Sequence, residues 1–142
     1  MEQIQQHVAD IVHTRFWDDE VNCAVTSISV LSTLFEVPID DQVFDAAYGM
    51  DGAGRYRAQC GLVEGPIMFI GVVGRRRGLP KDEIEGLCYR FAEEFERNFD
   101  SLLCRDLRPD GFREDDPPHK CEDLAVRTNT FSYTFMKDNL FS

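Results

Sequence analysis

The chain is short of positive charge: 15 Lys and Arg stand against 26 Asp and Glu, a formal net charge of −11 at pH 7 over 142 residues. A surface that tracks phosphates needs clustered Lys and Arg. The basic cluster Arg75-Arg76-Arg77 is too short to offset the acidic total, so nucleic acid is not an expected partner. Long hydrophobic runs are missing too. The longest, Pro66 to Gly74, falls well short of the roughly 20 residues that span a bilayer, and membrane insertion is not expected. Met1-Glu2-Gln3 has neither the basic nor the apolar part of a secretory leader, and a cytoplasmic location is the expectation that follows. Sustained period-2 alternation, internal repeats, low-complexity tracts and a dividing linker are all absent, and no two cysteines form a CxxC pair.

What is present is enough for a core: 43% of the residues are hydrophobic and 11 are Phe. The length fits one domain, residues 1–142. Apolar spacing predicts helices. Ile4, Val8 and Ile11 mark one over residues 2–15, and Val21, Val25, Ile28, Ser32 and Phe35 mark a second from about Asp19, stopped before Pro38. Asp40 can cap a short third helix that ends at Gly49. The glycine-rich stretch 49–54 reads as a loop, followed by an apolar segment through Val73. Arg75 to Arg77 complement a helix C-terminus there, and Gly78 can take the left-handed position after it. Pro80 opens the next helix, with Asp82 and Glu83 in its first turn and Ile84, Leu87, Phe91, Phe95 and Phe99 on one stripe. Leu107 to Pro118 reads as a loop, and a last helix runs from about Pro117 to Leu140 through Leu124, Phe131 and Phe135. The expected fold is all-α, an irregular bundle of about six helices.

Five cysteines in a reducing compartment are not explained as a passive disulfide framework, which points to redox or metal chemistry, against the alternative that each simply packs as a small hydrophobe. Position separates them. Cys23 and Cys121 fall in the first turns of their helices, and Cys60 does too if a helix starts nearby. A helix N-terminus favours thiolate, the form that attacks disulfides and binds metals. Cys104 follows the Phe-rich helix. Cys88 lies within the Leu87–Phe91 stripe and reads as core filler. Gly61 and Gly65, four apart, offer a small-residue face on which another helix could approach closely. That face serves plain packing, and it could also carry Cys23 or Cys104 toward Cys60.

Asn22-Cys23-Ala24, the run Cys60-Gly61-Leu62-Val63-Glu64-Gly65, Cys104 and Cys121 together resemble the C_GCAxxG_C_C family, described as redox-active. The likeness extends from about Asn22 to Val126. It takes in the glycine-rich loop before Cys60, the glycine-spaced segment after it and the acidic, Phe-rich helix before Cys104. Leu62 stands where the family usually has Ala. Pro66 follows Gly65 directly, so the helix either bends there or begins there with Cys60 in the preceding loop. The resemblance implies a helical protein in which Cys23, Cys60, Cys104 and Cys121 converge and two thiols cycle with a disulfide, serving a redox partner protein not named by the sequence. The same four sulfurs would alternatively ligate a metal or iron–sulfur centre. A third reading is a helical interaction module whose cysteines only pack. The sequence leaves open which of these holds, which cysteines pair and whether any cofactor is present.

Other signals are weaker. Gly52-Ala53-Gly54 starts like a phosphate loop, but Arg57 occupies the third glycine position and no strand precedes it. Asp10 and His13 have the carboxylate-x-x-His spacing of di-iron bundles without the second motif such sites need, and His13 reads as solvated. His119, two residues before Cys121, reads as an exposed loop histidine rather than a ligand. Glu93, Glu94 and Glu96 form the wet face of their helix. Glu64 is either a proton acceptor beside Cys60 or the partner of an arginine such as Arg57.

Overall fold

The computed structural model describes residues 1–108 and 121–142. The expected loop over Leu107–Pro118, the start of the last helix at Pro117 and His119 therefore fall wholly or mostly outside the described residues. Within them the protein is all-α: α1 (Glu2–His13), α2 (Cys23–Phe35), α3 (Asp41–Ala46), α4 (Gly61–Arg76), α5 (Lys81–Phe99), the single turn α6 (Cys104–Leu107) and α7 (Glu122–Asn139). Among the described residues the β pairing consists of one isolated antiparallel bridge, Gln59 to Leu103. No helix of the described residues is long and apolar enough to cross a membrane.

α2 is the central helix, buried continuously from Ala24 to Leu31. A helix covered on all sides needs neighbours all round, and α4, α7 and α1 supply them. It starts later than the apolar spacing predicts. Glu20 has φ +52 and Asn22 is extended, and Asn22 Oδ1 then caps the helix by accepting from Val25 N at 2.9 Å. That cap makes Cys23 the first helical residue. The Asn22 amide also donates to the carbonyls of Ala47 and Tyr48, tying the α2 N-terminus to the short helical turn after α3. α1 buries Val8 and Val12, with Ile4 and Ile11 packed partly exposed beside them. A π-turn over Thr14–Asp18 follows and brings Phe16 inward.

α4 begins at Gly61 and runs straight through Pro66. Pro66 has no N–H to give the Leu62 carbonyl, yet the helix neither starts nor stops there. It ends as the sequence suggests. Gly78 takes φ +73, and the N–H of Leu79 returns to the Gly74 carbonyl at 2.9 Å. On α5, Leu87, Phe91 and Phe95 are buried. Phe91 meets Phe135 edge-on at 5.3 Å between ring centres, and Phe95 meets Phe131 edge-on at 6.0 Å. The fully buried residues of α7 are Ala125, Thr128, Asn129, Ser132, Phe135 and Met136, with Leu124 and Phe131 on the flanks. The inner face of α7 is thus more polar than its apolar spacing implies. Thr128 and Asn129 meet this by donating back to the Ala125 carbonyl.

Candidate functional site

Gly61 and Gly65 let α4 approach α2 closely. A Cβ on Gly61 would lie 2.8 Å from the Ala24 N and 3.1 Å from the Cys23 Cβ; one on Gly65 would lie 2.6 Å from the Ala24 carbonyl oxygen. The two glycines therefore press the start of α4 against the start of α2, which puts Cys60 beside Cys23. Cys60 is the N-cap of α4, its Sγ accepting from Leu62 N at 3.4 Å. The same residue is held from the other side: its N–H donates to the Leu102 carbonyl at 2.9 Å, and the Cys104 N–H donates to the Ala58 carbonyl at 2.8 Å. This pairing of 58–60 with 102–104 delivers Cys104, the first residue of α6. Cys121 arrives as the N-cap of α7.

All four cysteines line one cavity of about 20 Å³, closed by Gly61, Leu107 and Leu124 and shared by Asp51 and Arg108. That volume holds roughly one water molecule. Cys60, Cys104 and Cys121 are 5%, 6% and 7% exposed, and Cys23 retains more exposure. Within this cavity Cys121 is the neighbour that most affects the Cys23 thiol. None of the five cysteines is in a disulfide. Among the described residues no group of three or more His, Cys, Asp or Glu side chains is arranged to hold a metal ion.

Each sulfur sits at a helix start, as the spacing of Cys23, Cys60 and Cys121 anticipates, but burial decides the titration. Burial pushes the Cys60 thiol up to about 12, against the lowering effect of the Leu62 N–H and with small upward contributions from Cys104, Cys121 and Glu64. Cys23 is raised well above the ordinary thiol value, first by Cys121 and then by desolvation. Cys104 is raised by desolvation and Cys121, while the guanidinium groups of Arg108 and Arg57 pull it back. At Cys60 and Cys104 desolvation outweighs N-terminal activation.

Glu64 has a different partner from the one expected. It accepts from the Gln59 amide, because Arg57 is engaged elsewhere, donating to the carbonyls of Arg105 and Arg108 and thereby closing the end of α6. His13, expected to be solvated, is exposed yet bonded: its Nδ1 lies 3.1 Å from Glu122 Oε2, and Trp17 Nε1 donates to Glu122 Oε1 at 2.6 Å. Glu122 directly follows Cys121, so this clamp anchors the start of α7 to the end of α1.

Cys88 does not line the cavity. It is half-buried on α5 and packs against the core beside Leu87 and Phe91. Its thiol is raised by desolvation and by Glu85. Cys88→Ala should cost about 1 kcal/mol, as expected for a small change at a partly covered position, and should leave the chemistry of the other four sulfurs unchanged. A urea melt and a thiol titration of the same variant check both halves of that statement.

A family model matches residues 21–132, about four-fifths of the chain and the whole of the four-cysteine cavity. The chain belongs to the C_GCAxxG_C_C family. The family is described as "Putative redox-active protein", and the matched span takes in all four cysteines of the cavity as well as Cys88. No curated protein and no solved structure matches the chain.

Asp51, like Arg108, is a residue of the cavity that the sequence did not single out. Within the stretch Gly49-Met50-Asp51-Gly52-Ala53-Gly54 it looked like one loop residue among others. The structure puts it on the cavity wall, because the chain after it winds the wrong way. Gly52, Ala53, Gly54 and Arg55 have φ of +74, +58, +64 and +67, a left-handed turn closed by the Arg55 N–H on the Asp51 carbonyl at 2.9 Å. For Ala53 and Arg55 that conformation costs about 1–2 kcal/mol each. The turn lays Gly52 against Cys104: a Cβ on Gly52 would stand 3.4 Å from the Cys104 Cβ.

Proposed function

We propose that the protein is a thiol redox protein in which Cys23 and Cys121 form the exchanging pair, within a set of four that includes Cys60 and Cys104. The observation that carries this reading is the convergence of all four cysteines on one cavity, in which Cys121 is the chief influence on the Cys23 thiol. On oxidation the two thiols give up two electrons and two protons and one S–S bond forms. On reduction a dithiol of a partner protein attacks that bond and leaves oxidised in its place. Cys23 is the natural point of attack, since it keeps more exposure than the other three. Such a cycle suits the reducing cytoplasm, where a disulfide is transient.

Graded oxidation followed by non-reducing peptide mapping tests the reading. The first disulfide to appear should join Cys23 to Cys121. Cys23→Ser and Cys121→Ser should each abolish it while the helical circular dichroism signal persists. Absence of any disulfide among the four sinks the proposal. So does about one equivalent of bound metal in protein purified without oxygen, which would transfer the four sulfurs to the ligand role.

A further inference from the structure

The cavity holds a carboxylate as well as sulfurs, and that carboxylate has an unexplained atom. Asp51 Oδ1 is buried and has no hydrogen-bond partner among the described residues, although a buried acceptor left unpaired costs about 1–3 kcal/mol. The chain goes further to keep it there, accepting left-handed backbone at Ala53 and Arg55 immediately afterwards. Strain of this kind concentrates where a site demands a particular placement. Cys104 packs against this turn, a Cβ on Gly52 standing 3.4 Å from its Cβ, and Asp51 is among the charges that act on its thiol. Cys104 also has cations beside it: Arg108 lines the cavity, and Arg57 is hydrogen-bonded to the Arg108 carbonyl.

We propose that Cys104 is the sulfur that meets a small peroxide, and that Asp51 carries its proton during that reaction. The inference rests on the thiol redox reading above and names the oxidant and the acid–base group for the same site. The size of the cavity selects the oxidant class. About 20 Å³ admits a molecule near the size of water, and hydrogen peroxide with slight side-chain give, but not a peptide disulfide.

The chemistry closes on these residues. The Cys104 thiol gives its proton to the Asp51 carboxylate as sulfur attacks the nearer peroxide oxygen. The O–O bond breaks, sulfur loses two electrons and becomes a sulfenic acid, and the departing hydroxide takes the proton back from Asp51 and leaves as water. The Cys121 thiol then attacks the Cys104 sulfur, forming an S–S bond and releasing a second water. Exchange with Cys23 moves that disulfide to Cys23–Cys121, the more exposed position. An acid–base group is required because burial holds these thiols protonated. Burial also raises Asp51, against the lowering effects of its own backbone N–H and of Arg55, which brings its basicity toward that of the group it serves. Among the described residues the other titratable and charged groups around the cavity are Arg108, Arg57, Glu64 and the thiols of Cys23, Cys60 and Cys121.

The test compares wild type, Asp51→Asn and Asp51→Glu as full-length reduced protein mixed with hydrogen peroxide and dimedone. Acid-quenched time points from pH 5 to 9.5 are scored by peptide mass spectrometry for oxidised Cys104, adduct and disulfide together. Cys88 serves as the reference thiol in the same molecule. In wild type, Cys104 should oxidise at least about tenfold faster than Cys88 at pH 7. Asp51→Asn should slow Cys104 about a hundredfold at pH 7, the low end of general acid–base catalysis, and should recover toward wild type at pH 9.5, where hydroxide removes the proton. Asp51→Glu should restore part of the neutral-pH rate. Equal profiles in wild type and Asp51→Asn overturn the role of Asp51, and so does a uniform loss at every pH accompanied by a lower melting temperature. Cys88 reacting as fast as Cys104 overturns the peroxide assignment. If these fail while the Cys23–Cys121 disulfide still forms, the thiol redox reading survives without them; if no disulfide forms among the four, both fall.

Discussion

Gly65→Ala should destabilise the protein by about 2 kcal/mol, while Gly71→Ala, six residues along the same helix, should stabilise it by up to about 1 kcal/mol. The two substitutions make the same change to an α-helix, and in isolation Ala is favoured over Gly there by about 1 kcal/mol. They differ in what the new methyl meets. At Gly71 nothing lies within 4 Å, so the helical preference is expressed in full. At Gly65 the methyl would stand 2.6 Å from the Ala24 carbonyl oxygen and 2.9 Å from the Ser27 Cβ. The obstruction at Ala24 is backbone on the central helix and cannot rotate away, so α2 and α4 must separate. Overpacking of this kind costs about 1–3 kcal/mol, and here we take the upper end, less the helical gain. Urea denaturation of both variants gives the comparison directly. Equal and favourable effects would mean that α2 and α4 do not touch at Gly65. The separation should also draw Cys60 away from Cys23, so Gly65→Ala should slow thiol oxidation as well.

That pair of glycines shows how far the sequence reached. A four-residue spacing of glycines after Cys60 is visible in a single line of text, and so is its consequence, close approach of another helix. The choice of α2 over other partners is not visible, since it depends on where Ala24 falls once Asn22 has capped the helix. Helix ends with a local chemical cause were equally legible. Gly78 and Pro80 mark their boundaries through backbone preferences that act within a few residues.

Where the reading fell short, tertiary contacts had overridden local preference. Ala53 and Arg55 have no intrinsic reason to adopt positive φ, so nothing in Asp51-Gly52-Ala53-Gly54-Arg55 announces a left-handed turn that presents Asp51 to a sulfur. The partner of Glu64 was misassigned for a similar reason. Arg57 is close in sequence, but its guanidinium spans to the carbonyls of Arg105 and Arg108, some fifty residues away. The four cysteines themselves could be picked out by position and by family resemblance. Their ionisation could not, because a helix N-terminus is a sequence feature and desolvation is not. Each sulfur lies at a helix start, yet Cys60 and Cys104 are raised chiefly by burial and Cys23 chiefly by Cys121 and then by burial.

Cys60 turns that burial into a measurable loss of stability in alkali. Its thiol titrates at about 12 in the folded protein, against an ordinary value of 9.0. Between those two values the folded state keeps a proton that the unfolded state has released, so unfolding is favoured as pH rises. Below pH 9 both states are protonated and the contribution is constant. Above it, each pH unit removes about 1.4 kcal/mol until the folded thiol itself ionises. At pH 10.5 the loss from this one group should be about 2 kcal/mol relative to pH 8. Lys, Tyr and the other thiols titrate in the same range, so the useful quantity is the difference between wild type and Cys60→Ser. Serine does not ionise here, and its hydroxyl can take over the cap that Cys60 provides on α4. The variant should therefore be folded at pH 8 and should lose stability more slowly with pH, with the two curves converging by about 2 kcal/mol at pH 10.5. Chemical denaturation in reducing buffer at half-unit steps measures this. Parallel curves would mean that the Cys60 sulfur is reached by water, and a solvated sulfur could not be part of a closed cavity with Cys23, Cys104 and Cys121.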